Sequence, residues 1–207
     1  MQSLRSVCIA GALSVICVGA SIAKAADQTV ELNPTESSIT WTGRKVTGSH
    51  TGVVALKKGE VHVDGDMVKS GRFEIDLSNV TVTDISDPKY NAKLVGHLKS
   101  ADFFSAMEFP TVEFLIDKAQ KLDKPLASGE NYTVDGRLKI KGIEHTVQFP
   151  AKISVENGTA QAAGKVMVDR TKWNIKYGSG KFFQGLGDKL ILDEFEVAFS
   201  VKGKVVA

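Results

Sequence analysis

The chain has only two cysteines in 207 residues, Cys8 and Cys17, and both fall within its first 25 residues. The rest has none, which excludes disulfides, thiol catalysis and cysteine-based metal sites there. Histidine is scarce too. His50, His62, His97 and His145 form no HxH, HExxH or HxxxH pair, so no metal and no cofactor is expected. An excess of one charge is also missing. Without Arg5 and Lys24 the 26 basic residues fall to 24, matching the 24 acidic ones. A chain so balanced carries no global footprint for nucleic acid. Past the N-terminus there is no repeat, glycine-rich linker or low-complexity stretch.

The one long apolar run, from about Val7 to Ile22, is interrupted by Gly11, Ser14, Gly19 and Ser21. It is too short and weak for a stable membrane span. With Arg5 before it and Ala23-Lys24-Ala25 after it, the segment has the three parts of a secretory signal. Neither cysteine follows the Leu-Ala-Gly-like triplet that lipidation needs. The expected organisation is a signal peptide at 1–25 and one domain at 26–207, periplasmic or secreted. An uncleaved anchor is the alternative.

Catalytic motifs are absent as well. Tyr177-Gly178-Ser179-Gly180-Lys181 superficially resembles a phosphate loop, but Ile175 stands where glycine is required and Phe182 where Ser or Thr is required. Gly178-Ser179-Gly180 lacks the spacing of a nucleophile elbow. Asp193, Glu194 and Glu196 are expected on the solvent face of a strand. No catalytic residue is assigned, and the chain is not expected to be an enzyme.

What the sequence does have is alternation. Ile39 and Trp41, Val61 and Val63, Phe73 to Leu77, and Val112 to Ile116 each alternate with polar neighbours. So do Val134 to Ile140, Val147 to Ile153, Val166 to Val168 and Phe195 to Val201. These eight segments predict eight strands, each with one apolar face, as antiparallel sheets have. Asp64-Gly65-Asp66, Ser128-Gly129-Glu130 and Glu156-Asn157-Gly158 supply turns. Eight such strands close into a barrel, with room for one small ligand, or stack as a sandwich. Alternation alone does not separate the two.

Aromatic residues cluster. Four of the ten Phe residues, Phe103, Phe104, Phe109 and Phe114, lie in one short segment. Leu94, Leu98 and Phe103-Phe104 recur at helical spacing, which predicts one helix from about Pro88 to Ala106. Pro110 separates this helix from the strand that follows. The rings either plug a solid core or line an apolar cavity. A second aromatic group, Trp173, Tyr177, Phe182 and Phe183, interleaves with Lys172, Lys176 and Lys181. It either grips a polar lipid head or covers one end of the fold.

Several landmarks resemble the YceI-like, polyisoprenoid-binding family. His97-Leu98-Lys99-Ser100-Ala101-Asp102-Phe103-Phe104 and Phe109-Pro110-Thr111-Val112-Glu113-Phe114 fill its helix and strand signature. Gly136 to Gly142 resembles its "G-x-L-x-I-x-G" strand and turn, and Val168 to Ile175 its "h-x-R-x-x-h-x-I" strand end. Gly48-Ser49-His50-Thr51-Gly52 falls in family order before them. The resemblance implies an all-β, eight-stranded antiparallel, lipocalin-like barrel with one short covering helix and an apolar central pore. It also implies a long isoprenoid, or another apolar lipid, as the partner, without known chemistry. A homodimer is compatible with it.

On this reading the pocket wall is assigned to Trp41, Phe73, Ile75, Phe103, Phe104, Phe114, Leu138, Ile140, Trp173 and Phe199. His97, Arg170, Lys176 and Tyr177 are the candidate polar contacts near the mouth. Burying one isoprene unit contributes on the order of 4 kcal/mol gross, at about 0.8 kcal/mol per carbon. One charge-assisted hydrogen bond gives roughly 1.5–3 kcal/mol, and association costs about 4–15 kcal/mol. Tail burial is therefore expected to set affinity and the head group to set orientation. A structural or partner-binding β domain, or an enzyme acting on a small hydrophobic molecule, remains the alternative.

Overall fold

The structure, a computed structural model, describes residues 27–206; the expected signal segment lies outside them. Nine strands form one antiparallel sheet: β1 (Asp27–Leu32), β2 (Ser38–Lys45), β3 (Gly48–Asp64), β4 (Met67–Asp76), β5 (Thr111–Lys121), β6 (Tyr132–Ile140), β7 (Ile143–Glu156), β8 (Thr159–Asp169) and β9 (Ile191–Val206). A single α-helix, α1 (Pro88–Lys99), lies between β4 and β5. Strand β3 pairs with β4 and closes the sheet into a barrel.

The barrel has eight strand positions, as expected, because β1 and β2 share one. β2 pairs with the first half of β3 and the first half of β9, whereas β1 pairs with their far halves. A short 3₁₀ turn at Pro34–Glu36, capped by Asn33, separates the two segments. Strand β1 is an addition to the eight expected segments; its apolar face is only Val30 and Leu32. Each of the eight expected segments lies on one of β2 to β9, except that Leu77 falls one residue beyond the end of β4. Val61 and Val63 prove to be the end of a 17-residue strand.

Turn chemistry places the connections. Asn157 and Gly158 both have positive φ, 51° and 71°, as a two-residue type I′ hairpin between right-twisted strands requires. Lys141 and Gly142 repeat the arrangement. The β2–β3 and β6–β7 turns, the β4–α1–β5 connection and the β8–β9 connection all lie at one end of the barrel. The β3–β4 and β7–β8 turns and the β5–β6 loop lie at the other.

The helix is shorter than its apolar spacing predicts. It ends at Lys99, and Phe103 and Phe104 sit in the turn that follows. The amides of Phe104, Ser105 and Ala106 turn back onto the carbonyls of Leu98, Ser100 and Lys99. These bonds satisfy the helix's last carbonyls. Ser105, at φ 48°, takes the left-handed conformation that makes the reversal.

Two apolar clusters fill the ends of the barrel. One, around Val30, Val63, Tyr132 and Ala151, closes the far end. The other, around Leu98, Phe103, Val168, Trp173 and Ile175, lies under the helix and the β8–β9 connection. The space between them is hollow.

Candidate functional site

The cavity runs along the barrel axis and has a volume of about 230 Å³. Its wall is aliphatic and aromatic apart from one charged side chain, Arg170. Seven of the ten Phe residues contribute to it, Phe109, Phe182 and Phe183 being the exceptions. Strand parity explains this composition. Phe73 and Ile75 face inward between Arg72 and Glu74, and Phe195, Val197 and Phe199 face inward along β9. Several of these inward side chains remain only partly buried, because the rings and methyls they face are spaced apart.

Two belts of rings organise the wall. In the lower belt Phe73, Phe114, Phe149 and Phe199 follow one another at centroid distances of 5.7, 5.6 and 5.7 Å. Two inward-facing glycines make room for it. A Cβ on Gly136 would stand 2.5 Å from the Phe114 ring, and one on Gly164 would stand 2.9 Å from that of Phe199. Each ring thus lies over a neighbouring strand's bare backbone instead of filling the barrel axis. The upper belt joins Phe103 to Phe104 at 6.5 Å and Phe104 to Phe195 at 6.3 Å.

An unfilled apolar space has a cost. At about 24 cal/mol per Å³, a void of this size forfeits on the order of 5 kcal/mol of packing. That is comparable with the whole stability of many domains, roughly 5–15 kcal/mol. Such a void is dry and takes apolar guests.

Arg170 is buried, at 3 % exposure, under the β8–β9 connection. Its Nε donates to the carbonyl of Leu192 at 3.1 Å, Nη1 to those of Ile175 and Tyr177 at 2.9 and 2.8 Å, and Nη2 to that of Ile191 at 3.0 Å. Nη2 also faces Asp193 at 3.7 Å, and the guanidinium lies 6.0 Å from the centroid of the Phe103 ring. Burial pulls its pKa down from the usual arginine value, while Asp193 and Asp169 oppose that shift. With its donors turned to backbone carbonyls, Arg170 ties the loop after β8 to the start of β9. Lys181 adds a second tie, reaching Asp169 at 3.0 Å and Asp193 at 3.3 Å.

Asp193 was expected on the solvent face. It has the same parity as Phe195 and Val197 and turns inward at the rim, where Arg170 and Lys181 meet it. That parity was the available signal. Glu194 is exposed and Glu196 pairs with Lys165 at 3.2 Å.

Nine of the ten assigned wall residues border the cavity; Trp173 does not. β8 ends at Asp169, and a 3₁₀ turn at Arg170–Trp173 buries the indole at 1 % exposure. Its Nε1 donates to the Leu138 carbonyl, and its ring stands perpendicular to that of His145 at 5.2 Å between centroids. Of the four polar assignments only Arg170 reaches the wall. His97 and Tyr177 stack edge to face at 4.5 Å behind Phe103, and Lys176 lies outside, 5.0 Å from the centroid of the Phe182 ring. Among the described residues no cluster of three or more His, Cys, Asp or Glu could hold a metal.

A strap from Leu77 to Ile85 completes the wall beyond the end of β4. The amides of Thr81 and Thr83 donate to Val53 and Thr51, and the Trp41 indole donates to the Thr81 carbonyl. Asp84 accepts from the Thr51 amide at 3.0 Å and contacts His50 Nδ1 at 2.8 Å. Burial pushes the Asp84 carboxyl up, but its bonds to Thr51 and His50 outweigh this and hold it below the usual carboxylate range. Asp169 is lowered likewise: burial raises it, and Thr171 and Lys181 more than compensate. A depressed carboxylate stabilises the fold above its unfolded value, about 3.9, and that contribution is lost as pH falls through the folded value. The melting temperature should therefore lose these two contributions only below about pH 4. Asp84→Asn should flatten that acid limb in a pH series of melting curves; an unchanged limb would remove the strap from the account.

The sequence pattern that defines the YceI-like domain matches residues 31–203. Curated proteins give no significant match. Among solved structures, BcnA of Burkholderia cenocepacia is 23% identical, with 83% of this chain and 98% of that one covered and a TM-score of 0.59. A polyisoprenoid binding domain from Saccharophagus degradans, implicated in plant cell wall breakdown, is 14% identical, with coverages of 86% and 99% and a TM-score of 0.63. The Campylobacter jejuni YCEI protein is 18% identical, with coverages of 73% and 84% and a TM-score of 0.52. At these identities the three structures establish a shared fold. The sequence pattern spans nearly the whole barrel, and by it the chain belongs to the YceI-like family.

Proposed function

We propose that this protein is a periplasmic or secreted carrier that holds a long apolar lipid, a polyisoprenoid or a similar chain, along its barrel axis. The observation that carries the proposal is the hollow apolar wall, whose one charged side chain already spends its donors on the backbone. Such a wall offers a guest contact area and almost no polar recognition. The fold shared with a polyisoprenoid binding domain supports the class of ligand. No group in the wall is placed for acid, base or nucleophilic chemistry, so binding without turnover is the proposed activity.

Affinity should then rise with the number of buried isoprene units, by on the order of 4 kcal/mol gross for each, until the cavity is full. Quenching of Trp41, which lies in the wall, by prenyl alcohols of increasing length measures this. Affinity that tracks the head group and ignores tail length would sink the proposal. On this proposal cleavage follows Ala25, so N-terminal sequencing of the protein should begin at Ala26. A retained Met1 would replace the cleaved signal peptide by the uncleaved anchor.

A further inference from the structure

The cavity wall reaches the surface at Leu192, beside two loops that expose apolar side chains. Five of the twelve exposed large hydrophobic residues among the described residues lie on these segments: Val46 at 63%, Phe183 at 49%, Phe182 at 46%, Tyr177 at 45% and Leu192 at 43%. Backbone bonds from Val46 to Leu190 and from Ile191 to Gly178 join the β2–β3 turn, the β8–β9 loop and the start of β9. The same surface is basic. Apart from Arg170 and Lys181, which meet Asp169 and Asp193, the stretch from Asp169 to Glu194 carries Lys172, Lys176 and Lys189 against Asp188 and Glu194, and Arg44 and Lys45 precede Val46. Lys176 rests on the Phe182 ring.

From this geometry we infer a membrane-docking surface: Phe182, Phe183 and Val46 insert among the head groups of an anionic bilayer, and Lys172, Lys176, Lys189 and Arg44 meet its phosphates. Exposed rings ringed by lysines are the composition that partitions into such an interface. Both phenylalanines lie outside the cavity wall and outside the two apolar clusters that fill the barrel ends. Docking at this end sets Leu192, a cavity-lining residue that is also exposed, against the bilayer. A long tail then passes between two apolar phases without crossing water, where each exposed isoprene unit is unfavourable. The purpose of the surface rests on the lipid-carrier proposal, but its detection does not.

The test is co-sedimentation of the mature protein with vesicles that contain no prenyl lipid. Binding is expected to vesicles of phosphatidylglycerol in phosphatidylcholine, weakly to phosphatidylcholine alone, and to fall at high salt. Lys176→Glu should weaken it by roughly fivefold or more. Phe182→Ser with Phe183→Ser should weaken it by about tenfold or more. Met67→Ser, an exposed apolar change at the start of β4 at the far end, should leave it unchanged. Melting curves and prenyl-alcohol binding in detergent should stay at wild-type values in all three variants. Binding that is absent, or equal in the Phe182/Phe183 variant and the wild type, would overturn the inference while leaving the carrier proposal standing. So would a dimer in solution that the same variant dissolves, since the patch would then be a self-contact. Loss of prenyl binding by the wild type with vesicle binding intact would instead remove the carrier proposal alone.

Discussion

Replacing Leu138 by Trp should abolish ligand-induced stabilisation of the barrel while leaving the ligand-free protein folded. Leu138 faces the cavity opposite Phe114 on the neighbouring strand, at the level where the lower ring belt begins. Its carbonyl accepts from Trp173, so the backbone there is anchored from outside the cavity. A bicyclic ring at this position has only the central cavity to enter. In a packed core such an insertion costs about 1–3 kcal/mol; into a void it should cost less. For the wild type, ligand at about one hundred times its Kd adds about 2.7 kcal/mol of apparent stability. The Leu138→Trp protein should gain almost none. The complementary change, Phe114→Ala, should cost less than the about 3–5 kcal/mol typical of a packed phenylalanine, because that ring already borders empty space. Melting curves of the three proteins with and without a long-chain prenyl alcohol measure both effects. Equal stabilisation of wild type and Leu138→Trp would mean that the ligand sits elsewhere.

Arg170→Met should be the most destabilising single change near the cavity. It strands four carbonyls, those of Ile175, Tyr177, Ile191 and Leu192, and leaves Asp193 with Lys181 as its remaining cation. Removing one partner of a buried charged pair costs about 3–5 kcal/mol. In a domain of this size that corresponds to a fall in Tm of roughly 6–20 °C. Lysine should not rescue it, because an ammonium lacks the planar fork that reaches several carbonyls at once. Hydrogen exchange should quicken first in the loop after β8, at the amides of Ile191 and Phe183. A Tm within a degree or two of wild type, with Ile191 still protected, would show that the loop is held by its apolar contacts alone.

Much of this architecture is legible in the alternation of apolar residues. Period-2 patterning marks β2 to β9 because each of those strands has one face on the cavity and one in water. It fails for β1, where two apolar residues are too few to define a period. It also fails at the end of α1. Phe103 and Phe104 continue the helical spacing of Leu94 and Leu98, yet Ser105 reverses the chain and delivers the rings from a turn.

The wall follows from the same parity, and nine of its ten assigned members border the cavity. Trp173 departs from them because the 3₁₀ turn after Asp169 ends the parity of β8 and buries the indole behind Leu138. The hollow itself depends on how rings lie over Gly136 and Gly164. That is a cross-strand relation, fixed by register and invisible along a single segment. The Arg170–Asp193 tie is equally non-local. Each residue could be flagged from sequence, Arg170 by its motif and Asp193 by its parity, but their pairing exists only once the loop folds back on β9.

The most direct test is native mass spectrometry of the protein purified from its own host, with extraction and identification of whatever co-purifies. The expected result is one long apolar lipid per barrel, lost on extraction with organic solvent and restored by incubation with a long-chain prenyl alcohol. A barrel that is empty as purified, and that takes up no long apolar lipid at any length tested, would contradict the account.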